Sequence, residues 1–227
     1  MNLFFIGGIM SDKKISVVIP AYNEENTIQE VINSIKKNCS IHEIIVVDND
    51  SEDLTNKIAK SCNVNVYKCK KRGKGYAMEK GLSKVTGDIV VFLDADLKRC
   101  NGNIVNLLSD AIISKNADFV KASFDRKGGR VTELLAKPLI KILYEDKFYF
   151  SQPLGGMIAG KVELFRKIKF DKDYGVDIGI LLDMIELGVN VQEINIGKIE
   201  HNSKSLSDLS NMAEEVARAI LKRKNII

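Results

Sequence analysis

Apolar residues in the first hundred positions fall into short β-branched runs separated by stretches with helical spacing. Ile15 to Ile19 is such a run and predicts a buried strand. After the polar stretch Ala21 to Asn26, a cap at Asn26 or Thr27 predicts a helix with Ile28, Val31, Ile32 and Ile35 on its inner face. Glu43 to Val47 predicts a second strand, followed by a helix carrying Leu54, Ile58 and Ala59. Val64 to Tyr67 predicts a third strand, Lys70 to Lys74 a basic loop, and Tyr76 to Lys84 a helix. Asp88 to Leu93 predicts a fourth strand ending at Asp94. Strands alternating with helices imply a parallel sheet covered on both faces, with ligands at the carboxyl ends of its strands.

The second half alternates less regularly. Asn103 to Ser114 predicts a helix, Phe119 to Ser123 a strand, and Phe124 to Arg130 a basic, glycine-bearing loop. Val131 to Tyr144 predicts a helix, Gln152 to Gly160 a glycine-rich loop, and Phe170 to Gly175 another loop. Val176 to Leu187 predicts a helix and Val189 to Ile199 a strand. Ser203 or Ser205 opens a terminal helix with Leu206, Leu209, Met212, Val216 and Ile220 on one stripe.

Composition narrows the class. The 227 residues suit one large domain with an ordinary apolar content of 45%. A formal charge of +4 permits anionic substrates without calling for nucleic acid. Cys39, Cys62, Cys69 and Cys100 lack C-x-x-C spacing, which predicts reduced thiols and a cytoplasmic protein. With only His42 and His201, a zinc site is not expected, and His42 reads as a surface residue. No apolar stretch reaches the roughly 20 residues of a membrane span. Met10 is the expected biological start, because the fold begins near Ile15.

Several clusters carry candidate chemistry. Asp94-Ala95-Asp96 places two carboxylates at a strand end, where Mg²⁺ or Mn²⁺ would find oxygen ligands. The pair alone would equally suit a solvated turn; its place among converging strand ends favours the metal. His201 could supply a further ligand as a neutral imidazole, although a lone histidine is more often an ordinary one. Lys71 to Gly75 combines cations, glycines and a helix start, which suits a phosphate. Gly129-Arg130-Val131-Thr132 repeats that logic as a second anion site, with a simple helix cap as the alternative. Gln152 to Met157 suits close approach of a sugar, and Asp177 either a sugar contact or a favourable helix N-terminus.

Taken together, these residues resemble the glycosyltransferases of GT-A fold, with a family 2-like opening. Val17 to Glu25 resembles their nucleotide-binding opening, Val46 to Asp53 their second nucleotide segment, and Asp94-Ala95-Asp96 their metal motif. Gly129 to Leu134, Ala136 to Leu139, Gln152 to Leu154, Tyr174 to Gly179, and His201 with Leu206 to Met212 are similar to the glucosyl-3-phosphoglycerate synthases. The resemblance implies an α/β fold of Rossmann-like, mostly parallel topology flanked by helices. It also implies retaining transfer of a hexose from a UDP- or GDP-sugar to 3-phosphoglycerate or a similar small phosphorylated acceptor.

The roles it implies are specific. Pro20, Ala21, Tyr22, Asn23, Glu24, Asp48 and Asn49 would bind the nucleoside, and Lys74 the diphosphate. Asp94 and Ala95 would lie on the donor, with Asp96 and His201 on the metal. Tyr174 and Asp177 would orient the sugar, with Leu154 beside the anomeric carbon. Gly129, Arg130, Thr132 and Asn202 would hold the acceptor. Asp177 stands where the family usually has Glu, and Asn202-Ser203-Lys204 replaces a more basic run. On this reading residues 1–14 form an extension, 15–100 a nucleotide-sugar half, 101–204 an acceptor half of the same domain, and 205–227 the terminal helix. A homodimer is the family expectation. The alternatives are a polyprenyl-phosphate glycosyltransferase, or a nucleotidyltransferase or non-catalytic nucleotide-sugar binder.

Overall fold

A computed structural model of the chain describes residues 13–38, 40–98, 102–125, 129–144, 150–199 and 206–227. The elements of the first half are β1 (Ile15–Ala21), α1 (Ile28–Lys36), β2 (Ile41–Asp48), α2 (Thr55–Ser61), β3 (Asn65–Lys68), α3 (Lys74–Leu82) and β4 (Ile89–Phe92). Then come α4 (Ile104–Ser114), β5 (Phe119–Asp125), a π-helical turn (Thr132–Ala136) continuing into α5 (Lys137–Tyr144), β6 (Ile158–Lys161) and the short α6 (Val162–Phe165). The chain closes with α7 (Val176–Glu186), β7 (Val191–Lys198) and α8 (Leu206–Arg223).

The strands form one seven-stranded sheet in the order β3-β2-β1-β4-β6-β5-β7. The first four are parallel to one another, β6 runs antiparallel to β4 and β5, and β7 is parallel to β5. Both faces are covered, so strand side chains are buried in each direction. Val17 and Ile19 join the cluster beneath α1 and α4, whereas Val18 joins the cluster with α3, α7 and α8. The sequence order reverses between β1 and β4, and that crevice is where such sheets bind ligands.

Four expectations need correction. The glycine-rich stretch before Gly160 does not stay a loop: Ile158–Lys161 is a strand, placed between β4 and β5. Its Gly160 allows close contact, because a Cβ there would sit 2.8 Å from the Phe165 ring. The helix expected from Val131 opens with a π turn, a geometry found often at functional sites. Leu54 precedes α2 and is 56% exposed, so it is not on the buried face. Thr27 occupies the cap position of α1, but its hydroxyl turns to the Glu24 carboxylate rather than to the helix.

The C-terminal stripe packs as an amphipathic helix should, with Val216 and Ile220 fully buried against the domain. His42 is exposed. Cys62 and Cys69 are free thiols, while Cys39 and Cys100 lie outside the described residues, as do Met10 and the rest of residues 1–12. No helix among the described residues is long and apolar enough to cross a membrane.

Candidate active site

The loops at the carboxyl ends of β1, β2 and β4, the N-terminus of α3, the π turn, the glycine loop before β6 and the start of α7 enclose a cavity of about 910 Å³. Pro20, Ala21, Tyr22, Glu24 and Asn49 line one end, with Lys74, Asp94, Ala95 and Asp96 in the middle. Leu154, Tyr174 and Asp177 lie along its wall, and Gly129, Arg130 and Thr132 complete it.

Local bonding explains how the opening loops are held. Asn23 adopts a left-handed backbone (φ 54°), its N–H donates to Ser51 Oγ, and its Oδ1 accepts from the Glu52 N–H. Asp48, 1% exposed, accepts from the Ser51 N–H and the Asn56 amide. Neither residue lines the cavity: Asn23 ties the β1–α1 loop to the β2–α2 loop, and Asp48 braces the β2–α2 segment from within. That differs from the direct nucleoside contacts expected of them, because short polar side chains in tight loops are consumed by the backbone around them.

Asn49 does line the cavity, but its amide is also occupied. Its Nδ2 donates to the carbonyls of Cys69 and Lys71, and its Oδ1 accepts from the Gly73 N–H at 2.8 Å. The basic loop is thereby pinned to the end of β2. Gly73 has φ 132°, where only glycine is at ease, and it delivers Lys74 as the first residue of α3. Arg72 sits over the Tyr22 ring with its Cζ 5.1 Å from the centroid, and it pairs with Glu52.

The centre of the site is a charge cluster. Lys74 Nζ donates to Asp94 Oδ1 at 2.9 Å and to Asp177 Oδ2 at 2.8 Å. Burial works to lower the Lys74 pKa, but the two carboxylates, Asp177 before Asp94, hold it well above the ordinary lysine value. The other oxygen of Asp177 is buried and has no hydrogen-bond partner among the described residues. Gly156 lets this pair sit where it does: a Cβ would fall 2.2 Å from both Asp94 Oδ1 and Lys74 Nζ, so the two side chains would have to shift. Glu24 sits nearby with its carboxyl pKa raised, first by burial and then by the charges of Asp96, Asp53 and Asp94, against a lowering hydrogen bond from Thr27.

Negative charge therefore accumulates at the ends of β1 and β4, with hard oxygen donors on Asp94 and Asp96. Such a set fits a divalent cation. Among the described residues no three metal-ligating side chains converge as a complete cage. His201 and Asn202, expected to ligate the metal and to contact the acceptor, lie outside the described residues.

The anion site at the other end is built differently. Thr132 is buried as the first residue of the π turn, and a Cβ on Gly129 would approach its Oγ1 to 3.0 Å. Arg130 is exposed beside it on the cavity wall. Sequence reasoning missed Leu209 and Met212 as wall residues, although their helical stripe had marked the face that turns inward. It also missed Lys121; a lysine inside a largely apolar strand was the available signal.

A parallel-sheet crevice with a lysine–carboxylate cluster at its switch point and a second cationic wall defines a nucleotide-sugar transferase class of site. The chain matches the model of "Glycosyl transferase family 2" over residues 16–172. It belongs to that family, and it is a glycosyltransferase. A glucosyl-3-phosphoglycerate synthase from Petrotoga mobilis is 34% identical over 93% of this chain and 74% of its own length. The synthase from Mycolicibacterium smegmatis is 33% identical over 93% of this chain and 78% of its own. The crystal structure of the Mycobacterium tuberculosis synthase with Mn²⁺, UDP-glucose and phosphoglyceric acid is 35% identical and superposes with a TM-score of 0.91, covering 95% of this chain and 81% of that one.

Proposed function

We propose that this enzyme transfers glucose, with retention of configuration, from UDP-glucose to 3-phosphoglycerate or a closely similar small phosphorylated acid. The observation that carries the reading is the pairing of two anion-binding devices across one cavity: Lys74 with Asp94 and Asp177 on one side, Arg130 with Thr132 on the other. The related synthases of known structure hold UDP-glucose and phosphoglycerate together, which supports both the donor and the acceptor. A cytoplasmic location suits such small soluble substrates.

The chain's own residues would divide the work as follows. Pro20, Ala21, Tyr22 and Glu24 line the nucleoside end, while Asn23, Asp48 and Asn49 hold its loops in place. Lys74 turns from its carboxylates to the donor diphosphate and stabilises it as it leaves. Asp94 and Asp96, completed by His201 and the diphosphate oxygens, would hold Mg²⁺ or Mn²⁺. Held there, such an ion would supply Lewis-acid neutralisation of the diphosphate charge. Asp177 and Tyr174 face the sugar, and the unpartnered Asp177 oxygen is available to a sugar hydroxyl. Arg130, Thr132 and the Gly129 amide would hold the acceptor phosphate, with Asn202 proposed as a further acceptor contact.

In the transfer, the bond from the anomeric carbon to the β-phosphate oxygen breaks, and a bond to the acceptor hydroxyl oxygen forms on the same face. The acceptor proton passes to the leaving phosphate oxygen. Leu154 lies along this part of the wall.

Leu134, Pro138 and Ile142 follow one another at four-residue intervals, and Leu134 and Ile142 are 78% and 74% exposed. That apolar stripe supports a homodimer, which sedimentation at micromolar concentration would register.

The deciding experiment is a panel of UDP- and GDP-hexoses against 3-phosphoglycerate, glycerol 3-phosphate and dolichyl phosphate, with Mg²⁺ or Mn²⁺. Formation of an α-glucoside of phosphoglycerate from UDP-glucose, read by proton NMR, is expected. Transfer to dolichyl phosphate alone would reassign the acceptor.

A further inference from the structure

One buried ammonium has no place in the chemistry above. Lys121 lies in the middle of β5, and its side chain is fully buried on the face shared with α3 and α7. Its Nζ donates a short hydrogen bond to the carbonyl of Gly155. Across the sheet, Lys121 is in register with Glu193 of β7. Glu193 Oε1 accepts from the N–H groups of Ser151 and Gln152 at 2.8 and 3.3 Å. Two neighbouring side chains of the sheet thus hold the glycine loop at both ends. Immediately after the Gly155 anchor, Gly156 packs directly on the Lys74–Asp94 pair.

Charge adds a second observation. Lys74 alone faces two carboxylates, Asp94 and Asp177. Lys121 is influenced by both of these, by Lys74 and by Glu193, while its own pKa is pushed down to about 8, chiefly by burial. A buried cation is costly unless something requires it. With it, a second ammonium group acts on Asp94 and Asp177 besides Glu193, and these carboxylates keep a compensating charge when Lys74 engages a phosphate.

We propose that Lys121 is a positioning residue for the transfer reaction, seating the Leu154–Gly156 loop against the Lys74–Asp94 pair and offsetting the carboxylates so that Lys74 is released to the donor diphosphate. This rests on the donor reading above, but not on the identity of the acceptor.

Three substitution-based readouts test it: calorimetric affinity for UDP with Mn²⁺, turnover with UDP-glucose and 3-phosphoglycerate, and thermal midpoint. Lys121→Met removes charge and hydrogen bond at similar volume. It is expected to weaken UDP binding about tenfold and lower kcat about a further tenfold, with a thermal midpoint no lower than wild type. Lys121→Gln keeps a donor for the Gly155 carbonyl, so it should share the weakened UDP binding while keeping kcat within about threefold of wild type. Wild-type UDP affinity in both variants overturns the proposal. So does a parallel fall of midpoint, affinity and kcat in both, which would mark a packing role. If Lys121→Met does not fold, wild-type UDP affinity in Lys121→Gln is by itself decisive against the charge role. A wild-type protein that binds UDP with these dependences yet transfers nothing to phosphoglycerate would overturn the acceptor reading and leave Lys121 in place.

Discussion

Lys74 and Asp177 meet at 2.8 Å although 103 positions separate them in the chain. The start of α3 supplies one and the start of α7 the other, so the donor end of the cavity exists only when the two halves are assembled. An ion pair this enclosed leaves the ammonium little freedom to exchange with water.

Replacing Lys74 by Met removes the cation aimed at the leaving diphosphate. Groups of this kind contribute about 10²–10³ in kcat. Single-turnover measurements with UDP-glucose should show a loss of that size, with the acceptor KM changed much less.

Asp96→Ala and His201→Ala should each abolish metal-stimulated turnover. Titration with Mn²⁺ in each variant checks the assignment, and retained stimulation in either removes that residue from the ligand set.

Arg130→Lys keeps the charge but loses the planar fork that suits a phosphate. Its effect should fall on the acceptor: a rise of about tenfold in phosphoglycerate KM, corresponding to about 1.4 kcal/mol, with UDP affinity unchanged. Initial-rate kinetics with the acceptor varied reads this directly.

Glu24 gives a pH signature. Its folded pKa is raised above the ordinary glutamate value, by burial first and by Asp96, Asp53 and Asp94 after it. A raised carboxyl contributes stability below the ordinary value and loses it as pH climbs through the folded value. Glu24→Gln removes that loss. Thermal midpoints of variant and wild type should coincide near about pH 4 and separate in favour of the variant by about pH 7. Added Mg²⁺ should narrow the gap by neutralising Asp96 and Asp94.

Arg223 tests the support of the site. It is 10% exposed and pairs with Asp171 at 2.7 Å and Asp183 at 2.6 Å. Arg223→Met leaves two partly buried carboxylates unpaired, at a cost of roughly 3 kcal/mol. For a chain of this size the thermal midpoint should fall by about 6–12 °C in calorimetry. UDP affinity should weaken as well, because the loop bearing Asp171 packs on the N-terminus of α3.

The first half of the fold was legible because its strands are short apolar runs that end in polar clusters, and a doubly wound sheet sends every such end to one edge. Asp94 was visible for the same reason, as one of two carboxylates at a strand end, and Lys74 and Arg130 because charged residues beside glycines at element boundaries have few purely structural uses. β6 was hidden because Ile158–Lys161 contains two small residues and follows a glycine pair, so its local signal is that of a loop; only the gap between β4 and β5 makes it a strand. Asn23 and Asp48 look like binding residues in sequence, yet Asn23 Oδ1 and both Asp48 oxygens accept hydrogen bonds from the β2–α2 segment. Lys121 could not be interpreted from sequence, since its meaning depends on Gly155 lying over it.

Helix α8 serves the cavity in two ways at once. Glu215 of that helix accepts from the Tyr174 N–H, and Arg223 grips Asp171, whose carbonyl would lie 1.6 Å from a Cβ on Gly75. A helix whose Leu209 and Met212 line the wall therefore also braces, from behind, the loop against which α3 begins. The seat of Lys74 is thus mechanically linked to Glu215 and Arg223, far along the chain, and loosening either contact of α8 would be felt at the donor end without any change to the residues that line it.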